Sequence, residues 1–291
     1  MVQNRLKKIQ LFFKVIMLNG QAKVGMSILL VLILFAIFGS LLIGDLPAQY
    51  GLRFQGPSLQ HWLGTDFSGR DTLLQFILGT KDVILIATFA GVFTIAIGTL
   101  IGTISGFIGG RTDSILMLIT NVVITVPAFP VLMVLSLVVN AGNPVMFGLL
   151  LSLWNWAGLA RSIRSQVISL RESDFIMASN MLGMSKKHII INDIFPSLIP
   201  YIAVNFVLIM RASVLASVGL MMLGLAPFKG EHWGMMLNLA MTKSGAMFGS
   251  SAAIYLITPI VGIIIFQTAC FMFSKGLEDA FNPRMRSEMN D

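Results

Sequence analysis

The apolar positions of this chain gather into six long runs. They are Val24 to Gly44, Val83 to Ile108, Ser114 to Val139, about Val145 to Ala160, about Leu198 to Leu225, and Ser251 to Phe273. Each is bounded by charge, glycine or proline. An α-helix rises about 1.5 Å per residue and the hydrocarbon core is about 30 Å thick, so about 20 apolar residues cross it. The pattern predicts an all-α membrane protein with six transmembrane helices. The first run is longer than the roughly 7–15 apolar residues of a signal peptide and lacks a convincing small-x-small cleavage site, so it reads as a retained span.

The polar positions orient the spans. With the N-terminus inside, fourteen Lys and Arg fall on the cytoplasmic side, from Arg5, Lys7 and Lys8 through Arg161, Arg164 and Arg171 to Arg284 and Arg286. Five fall outside, namely Arg53, Arg70, Lys81, Lys229 and Lys243. The excess of basic residues inside predicts cytoplasmic N- and C-termini. The polar segments then become a long external one (Asp45 to Asp82), a shorter external one (Ala226 to Ser250) and a long cytoplasmic one (Arg161 to Pro196). The last is the most polar internal stretch and the best place for function.

Composition agrees. Of 291 residues 56% are hydrophobic and 11% charged, against about 25% charged in a soluble domain, and the mean hydropathy is +0.85. The net charge of +7 therefore reads as the inside–outside asymmetry of a membrane protein rather than as a nucleic-acid footprint. The single cysteine, Cys270, excludes an internal disulfide and lies in an apolar run, where a thiol behaves as a small hydrophobe.

Candidate chemistry is sparse. The spans hold no histidine and no paired carboxylates, and His61, His188 and His232 lie in loops without metal-ligand spacing. No phosphate-cradling Gly-x-x-x-x-Gly-Lys-[Ser/Thr] sequence is present, so any ATP-driven work draws on another protein. Arg211 is the one strongly ionisable residue deep in a span. An unpaired charge there costs several kcal/mol, so it either lines a wet pathway or is paired with backbone carbonyls or a neighbouring subunit. Gly98, Gly102 and Gly106 recur every four residues and predict close helix packing. Pro127 and Pro130 each remove a backbone donor and predict a bend in the third span.

In the cytoplasmic stretch, Phe175, Ala178, Ser179 and Leu182 share one face at helical spacing. Gly183 suits the left-handed position that stops a helix. Ser185 can cap a second helix running to Ile194, which Pro196 closes at the next span. A helix, a tight turn and a second helix result, suited either to receiving a partner or to lying on the membrane surface.

This stretch is similar to the cytoplasmic loop of permease subunits of bacterial ATP-binding cassette importers, whose pattern is Glu-Ala-Ala, three residues, Gly, nine residues, Ile-x-Leu-Pro. Ala178, Ser179, Gly183 and Pro196 fall in register, while Met177, Asp193 and Phe195 replace the Glu, Ile and Leu. The segment from His61 to Asp71 resembles the His-x-Leu-Gly-Thr-Asp-x-x-Gly-Arg-Asp of the oligopeptide, dipeptide and nickel permease family. Its two glycines flanking a compact polar stretch read as a structural turn. Leu223-Gly224-Leu225 with Trp233-Gly234 resembles that family's loop after the fifth span, and Asp279 to Arg284 its C-terminal Asp-Pro-Arg ending.

The resemblance implies a type I ATP-binding cassette importer permease fold in the cytoplasmic (inner) membrane of a prokaryote. It divides the chain into an N-terminal tail, first span and external loop (1–80), a five-helix core (81–275) with its coupling loop at 161–196, and a tail (276–291). The implied partners are a second permease subunit, two cytoplasmic ATP-binding subunits that use ATP and Mg, and an external substrate-binding protein, with no nucleic acid. No cofactor is implied on this chain, which does no chemistry itself. Phe175, Ala178, Ser179, Leu182, Gly183, Met184, Ser185 and Pro196 would form the ATPase-docking loop, and Arg211 and Ser217 would belong to the translocation pathway. Ser217 stands where the family usually carries a Glu, which with Arg211 argues against a preference for cationic peptides. The implied solutes are oligopeptides or dipeptides, with oligosaccharides or nickel and other metal chelates as alternatives on the same architecture. An ion-coupled secondary transporter is the reading from another class. It calls for internal repeats and an acidic residue at membrane depth, and the sequence has neither. A scaffold without a pathway is a third.

Overall fold

A computed structural model describes residues 19–138, 142–225, 231–243 and 252–281. Among these residues the chain is helical, with one isolated antiparallel bridge between Thr65 and Asp71. The charged N-terminal tail and the Asn282-Pro283-Arg284 ending lie outside the described residues, as do Val139 and Ser251.

Helix α1 spans Gly20–Leu42. Asn19 accepts from the Ala22 N–H at 3.1 Å to cap it and donates through Nδ2 to Asp279 at 2.8 Å. Helix α2 spans Thr72–Ile108, so it begins well before the expected Val83. Asp71 caps it by accepting from the Leu74 N–H at 2.9 Å, and Lys81 and Asp82 ride within the helix instead of ending it.

The third predicted span is broken rather than merely bent. Helices α3 (Gly110–Thr125) and α4 (Ala128–Val138) meet at 85°. Val126 between them is extended (φ −76°, ψ 127°), as the residue before a proline must be. Pro130 falls in the first turn of α4, where its missing donor costs nothing. The Trp154 indole donates to the Val126 carbonyl at 3.2 Å, satisfying an acceptor that the break releases.

Helix α5 spans Pro144–Arg171, with Pro144 at its start and Asn143 as its cap. It carries the fourth apolar run onward through Arg161 and Arg164. Helix α6 (Asp174–Met181) and the single turn α7 (Lys186–Ile189) follow. A π-helical segment (Ile190–Ile194) then leads into α8 (Phe195–Met222). Helix α9 spans Trp233–Thr242 and α10 spans Ala253–Phe281. Residues 80 and 275, where the sequence suggested boundaries, fall inside α2 and α10.

Pro196 does not end the helix that precedes it, which corrects the expectation. The backbone from Lys186 to Met222 is one continuous helix. The Phe195 N–H bonds back five residues to the Ile190 carbonyl, so the wider π turn makes room for the proline ring just past it.

On length and apolarity, Gly20–Leu42, Thr72–Ile108, Lys186–Met222 and Ala253–Phe281 can each cross a membrane, and the bent pair α3 and α4 makes a fifth. Helix α5 is long but not among them, since Arg161 follows only 17 residues after its start at Pro144. Apolarity alone thus supports four or five crossings where six were expected.

Helices α2 and α5 share the most extensive helix–helix contact in the described chain. The glycine stripe makes it possible. A Cβ on Gly98 would stand 3.0 Å from Leu159, one on Gly102 2.5 Å from the Ala160 carbonyl, and one on Gly106 2.8 Å from the Arg164 carbonyl. Both residue series ascend together, so the two helices run parallel. The segment between them must therefore return the chain to its starting side, and α3 does so. It runs antiparallel to α5, with Asp113 paired to Arg164 at 2.5 and 2.6 Å and Asn121 accepting from Arg161 at 2.6 Å. Helix α1 packs antiparallel on α10, where Gly276 meets Ala22 and Gly25 meets Ala269.

Candidate functional site

The stretch from Arg171 to Pro196 folds as a stapled hairpin. Asp174 occupies the first turn of α6, where a negative charge complements the helix dipole. At the other end the Gly183 N–H bonds to the Asn180 carbonyl at 3.0 Å and the Met184 N–H to the Ser179 carbonyl at 3.2 Å. With Gly183 at φ +71°, this is the paired-bond stop that uses a left-handed glycine. Ser185 then caps the next turn by accepting from the His188 N–H at 3.3 Å.

What holds the hairpin to the body was not read from the sequence. Ile176 is fully buried on the inner side of α6. It joins Ile189, Ile194 and Leu198 in one apolar cluster with Phe107, Leu159, Ile163 and Val167 from the ends of α2 and α5. Its signal in the sequence is the run of isoleucines at 189, 190, 191 and 194.

That small-residue face points away from the body. Phe175, Ala178, Leu182, Gly183, Met184, Ser185 and Pro196 are exposed, and Met181 and Leu182 are 88% and 75% accessible. Ser179 is the exception. It turns inward and its hydroxyl donates to Asp193 at 3.0 Å, across to the π segment. Apolar side chains at such exposure beside Lys186 and Lys187 form a patch of the kind that marks protein contact.

Arg211 and Ser217 are not brought together. The Arg211 Nε donates to Gln267 Oε1 at 2.6 Å, and the Gln267 amide returns a bond to the Arg211 carbonyl at 3.0 Å. The two side chains clamp α8 to α10, and Phe271 presents its ring 5.9 Å from the guanidinium. Its observed partner is thus a side-chain amide of the same chain, 56 positions away, which no local spacing announces. Ser217 is buried and its hydroxyl donates to the Val214 carbonyl at 2.9 Å, so it presents no polar group to an open face.

On the opposite side of the molecule the segment from His61 to Asp71 forms a compact knot. Asp66 is fully buried and accepts from the N–H groups of Ser68 and Arg70 at 2.7 and 2.9 Å, from Arg70 Nε at 3.0 Å and from Gln75 at 3.1 Å. These bonds hold the segment together around the buried carboxylate. His61 Nδ1 lies 2.8 Å from Asp71. Gly69, at φ +78°, admits no side chain, since a Cβ would fall 1.9 Å from the Gln49 carbonyl. Arg70 reaches Glu231 at 3.7 Å, joining the knot to the start of α9. There His232 is buried and caps α9 by accepting from the Gly234 N–H at 3.0 Å, and burial pushes its pKa down to about 3. Trp233 stacks on Phe76 at 4.9 Å and donates to its carbonyl at 3.1 Å. Among the described residues no group of three or more His, Cys, Asp or Glu is placed to hold a metal ion.

Comparison with known proteins bears on this arrangement. Residues 98–287 match the family described as the inner membrane component of binding-protein-dependent transport systems. The chain is 32% identical to the dipeptide transport system permease protein DppC of Alkalihalophilus pseudofirmus, over 94% of this chain and 90% of that protein. It is 31% identical to the oligopeptide transport system permease protein OppC of Bacillus subtilis, over 92% and 87% of the two chains. A putative peptide permease protein of Brucella suis is 33% identical over 80% of this chain and 76% of its own length.

Proposed function

The chain belongs to the family of inner membrane components of binding-protein-dependent transport systems, and from that premise we propose that it is one of two permease subunits of an ATP-driven importer of oligopeptides or dipeptides. As a multi-pass inner membrane protein of this family it hydrolyses no ATP; separate subunits do. In the proposed assembly it pairs with a second, homologous permease across a shared pathway. Each permease rests on a cytoplasmic ATP-binding subunit, and an external binding protein delivers the solute.

One observation carries the proposal. Helix α6 is stopped by Gly183 at its tip, anchored by Ile176 on its inner side, and apolar on its outer side. A short rigid rod of this kind, seated on the ends of α2 and α5, can convert movement of an ATPase into rigid-body movement of the spans, alternating access to the pathway. The peptide assignment is supported by the relatives at 31–33% identity. The six-span topology with both termini inside is supported by the parallel pairing of α2 and α5 and by the Asn19–Asp279 bond that joins the two described ends. Arg211 is proposed as the pathway residue and Ser217 as a packing neighbour within α8.

The test is Gly183→Arg in the assembled importer. The subunit should still reach the membrane, while ATPase docking or substrate-stimulated hydrolysis is lost. Unaltered transport would remove this loop as the coupler. Transport by proteoliposomes containing this chain alone would favour an ion-coupled carrier instead. Solute identity is read from what stabilises the cognate binding protein, with oligosaccharides and metal chelates as the alternatives to peptides.

A further inference from the structure

Between α1 and α2 runs an apolar slot of 340 Å³ that opens to the outside of the helix bundle. Its α1 wall is the stripe Ile33, Ala36, Ile37, Ser40 and Leu41, spaced three and four residues apart, and its α2 wall is Lys81, Ile84 and Leu85. Ala36 is nearly buried and forms the floor, while Ile37 and Leu41 stand up as exposed rims. The helices are pinned together beside the slot at Gly39, where a Cβ would meet Ile77 at 2.6 Å. The slot is therefore a fixed cleft rather than a loose gap.

At its outer end the slot changes character. Ser40 and Lys81 also line a second pocket of 720 Å³, which contains Asp45, Asp82 and Glu231. Among the described lining residues Lys81 is the cation at the junction, with an apolar cleft on one side and the carboxylates of Asp45, Asp82 and Glu231 on the other, the last also 3.7 Å from Arg70. The junction lies at the level where α1 ends, at Leu42, and where the apolar run of α2 begins, at Val83. In a bilayer that is the depth of the headgroups.

We infer that this composite cleft is a binding site for a phospholipid with an ethanolamine headgroup. An acyl chain lies along the α1–α2 slot, the phosphate pairs with the Lys81 ammonium, and the primary ammonium of the headgroup reaches the carboxylates of Asp45 and Glu231. The order of groups along the cleft, apolar then cationic then anionic, repeats the order along the lipid. A glycerol headgroup supplies no cation for the carboxylates. A choline headgroup carries a cation that donates no hydrogen bond. The inference rests on the membrane reading of α1 and α2 and is independent of the solute carried.

The experiment uses the assembled importer, extracted gently from a membrane containing both phosphatidylethanolamine and phosphatidylglycerol. Native mass spectrometry then counts the lipids that remain bound. Phosphatidylethanolamine should be retained several-fold above its share of the membrane. Lys81→Glu and Ala36→Leu should each reduce that excess to the bulk ratio, the first by reversing the charge at the junction and the second by filling the floor. Solute-stimulated ATP hydrolysis of each variant serves as the check that the complex has assembled. Equal retention of the two lipids in the unmodified complex overturns the inference. So does an excess that survives both substitutions. A photo-crosslinker at Leu41 that captures the second permease or the binding protein, rather than lipid, also overturns it.

Discussion

The Ser179 hydroxyl donates to the Asp193 carboxylate at 3.0 Å, tying helix α6 to the π-helical entrance of α8. Asp193 is one of the positions where this chain departs from the loop pattern it resembles. The bond sits within a hairpin whose other attachment, Ile176, is purely apolar and non-directional. Burial holds the hairpin down, and the polar bond fixes its angle to α8.

Removing that bond should therefore uncouple rather than unfold. A hydrogen bond to a charged acceptor is worth about 1.5–3 kcal/mol when sheltered, and the partial exposure here places it at the low end. Asp193→Ala should leave assembly intact and lower the solute moved per ATP hydrolysed by several-fold in proteoliposomes. Asp193→Asn keeps an acceptor and should restore most of the yield. Equal coupling in all three proteins would show that Ser179 and Asp193 do not set the angle.

Gly183 offers a test of backbone conformation separated from space. Nothing lies within 4 Å of where its Cβ would be, yet its φ is +71°. Asparagine tolerates that conformation and valine does not, at a cost of about 1–2 kcal/mol. Gly183→Asn should transport nearly as well as the parent, and Gly183→Val should lose coupling. Identical behaviour of the two variants would mean that the left-handed turn is dispensable.

The glycines of the α2–α5 contact behave in the opposite sense. Gly102→Ala puts a methyl group 2.5 Å from a backbone carbonyl that cannot move aside. It should lower the unfolding midpoint of the purified complex by several degrees. Gly158, on the exposed side of α5, has nothing within 4 Å. Gly158→Ala should be neutral or gain up to about 1 kcal/mol from helix propensity. A midpoint unchanged by Gly102→Ala would contradict the close approach of the two helices.

His232 makes stability depend on pH. Its pKa in the fold is pushed down to about 3 by burial, whereas an exposed histidine titrates near 6.5. Below that value the unfolded chain takes up a proton that the folded chain refuses. The contribution of His232 is therefore complete above pH 6.5 and declines as the pH falls toward 3, by up to about 1.4 kcal/mol per unit. His232→Asn keeps an acceptor for the Gly234 N–H and does not titrate. Thermal unfolding between pH 7.5 and 5 should fall less steeply for the variant than for the parent, and parallel slopes would place the titration elsewhere.

Features that depend on a few neighbouring residues were legible in the sequence. Gly183 and Ser185 stop and restart the helix where their types require, and Gly64 and Gly69 take the left-handed conformation that turns the chain between His61 and Asp71. The stripe at Gly98, Gly102 and Gly106 announced a close packing, though not that its partner was α5. Features set by remote contacts were not legible. The proline at 196 looked like a terminator because the π turn just before it, which makes room for its ring, has no signature in local spacing. The proline at 127 looked like a bend, and becomes an 85° break because Trp154 supplies the missing donor from another helix. The sequence left open what pairs with Arg211 because Gln267 lies on α10, 56 positions away. Hydropathy also placed the start of α2 too late, since it scores Lys81 and Asp82 as polar and ignores the cap at Asp71.

The parallel pairing of α2 and α5 bears on how the protein is made. Two helices that run in the same direction cannot enter the membrane as a hairpin. The nascent chain must deliver α3 and α4 before α5 can reach its partner. At a synthesis rate of about 5–20 residues per second, the glycine face of α2 waits for seconds beside the translocon with its backbone uncovered. During biogenesis that face is the part of the described chain with most need of a temporary companion, whether lipid, an insertase or another protein.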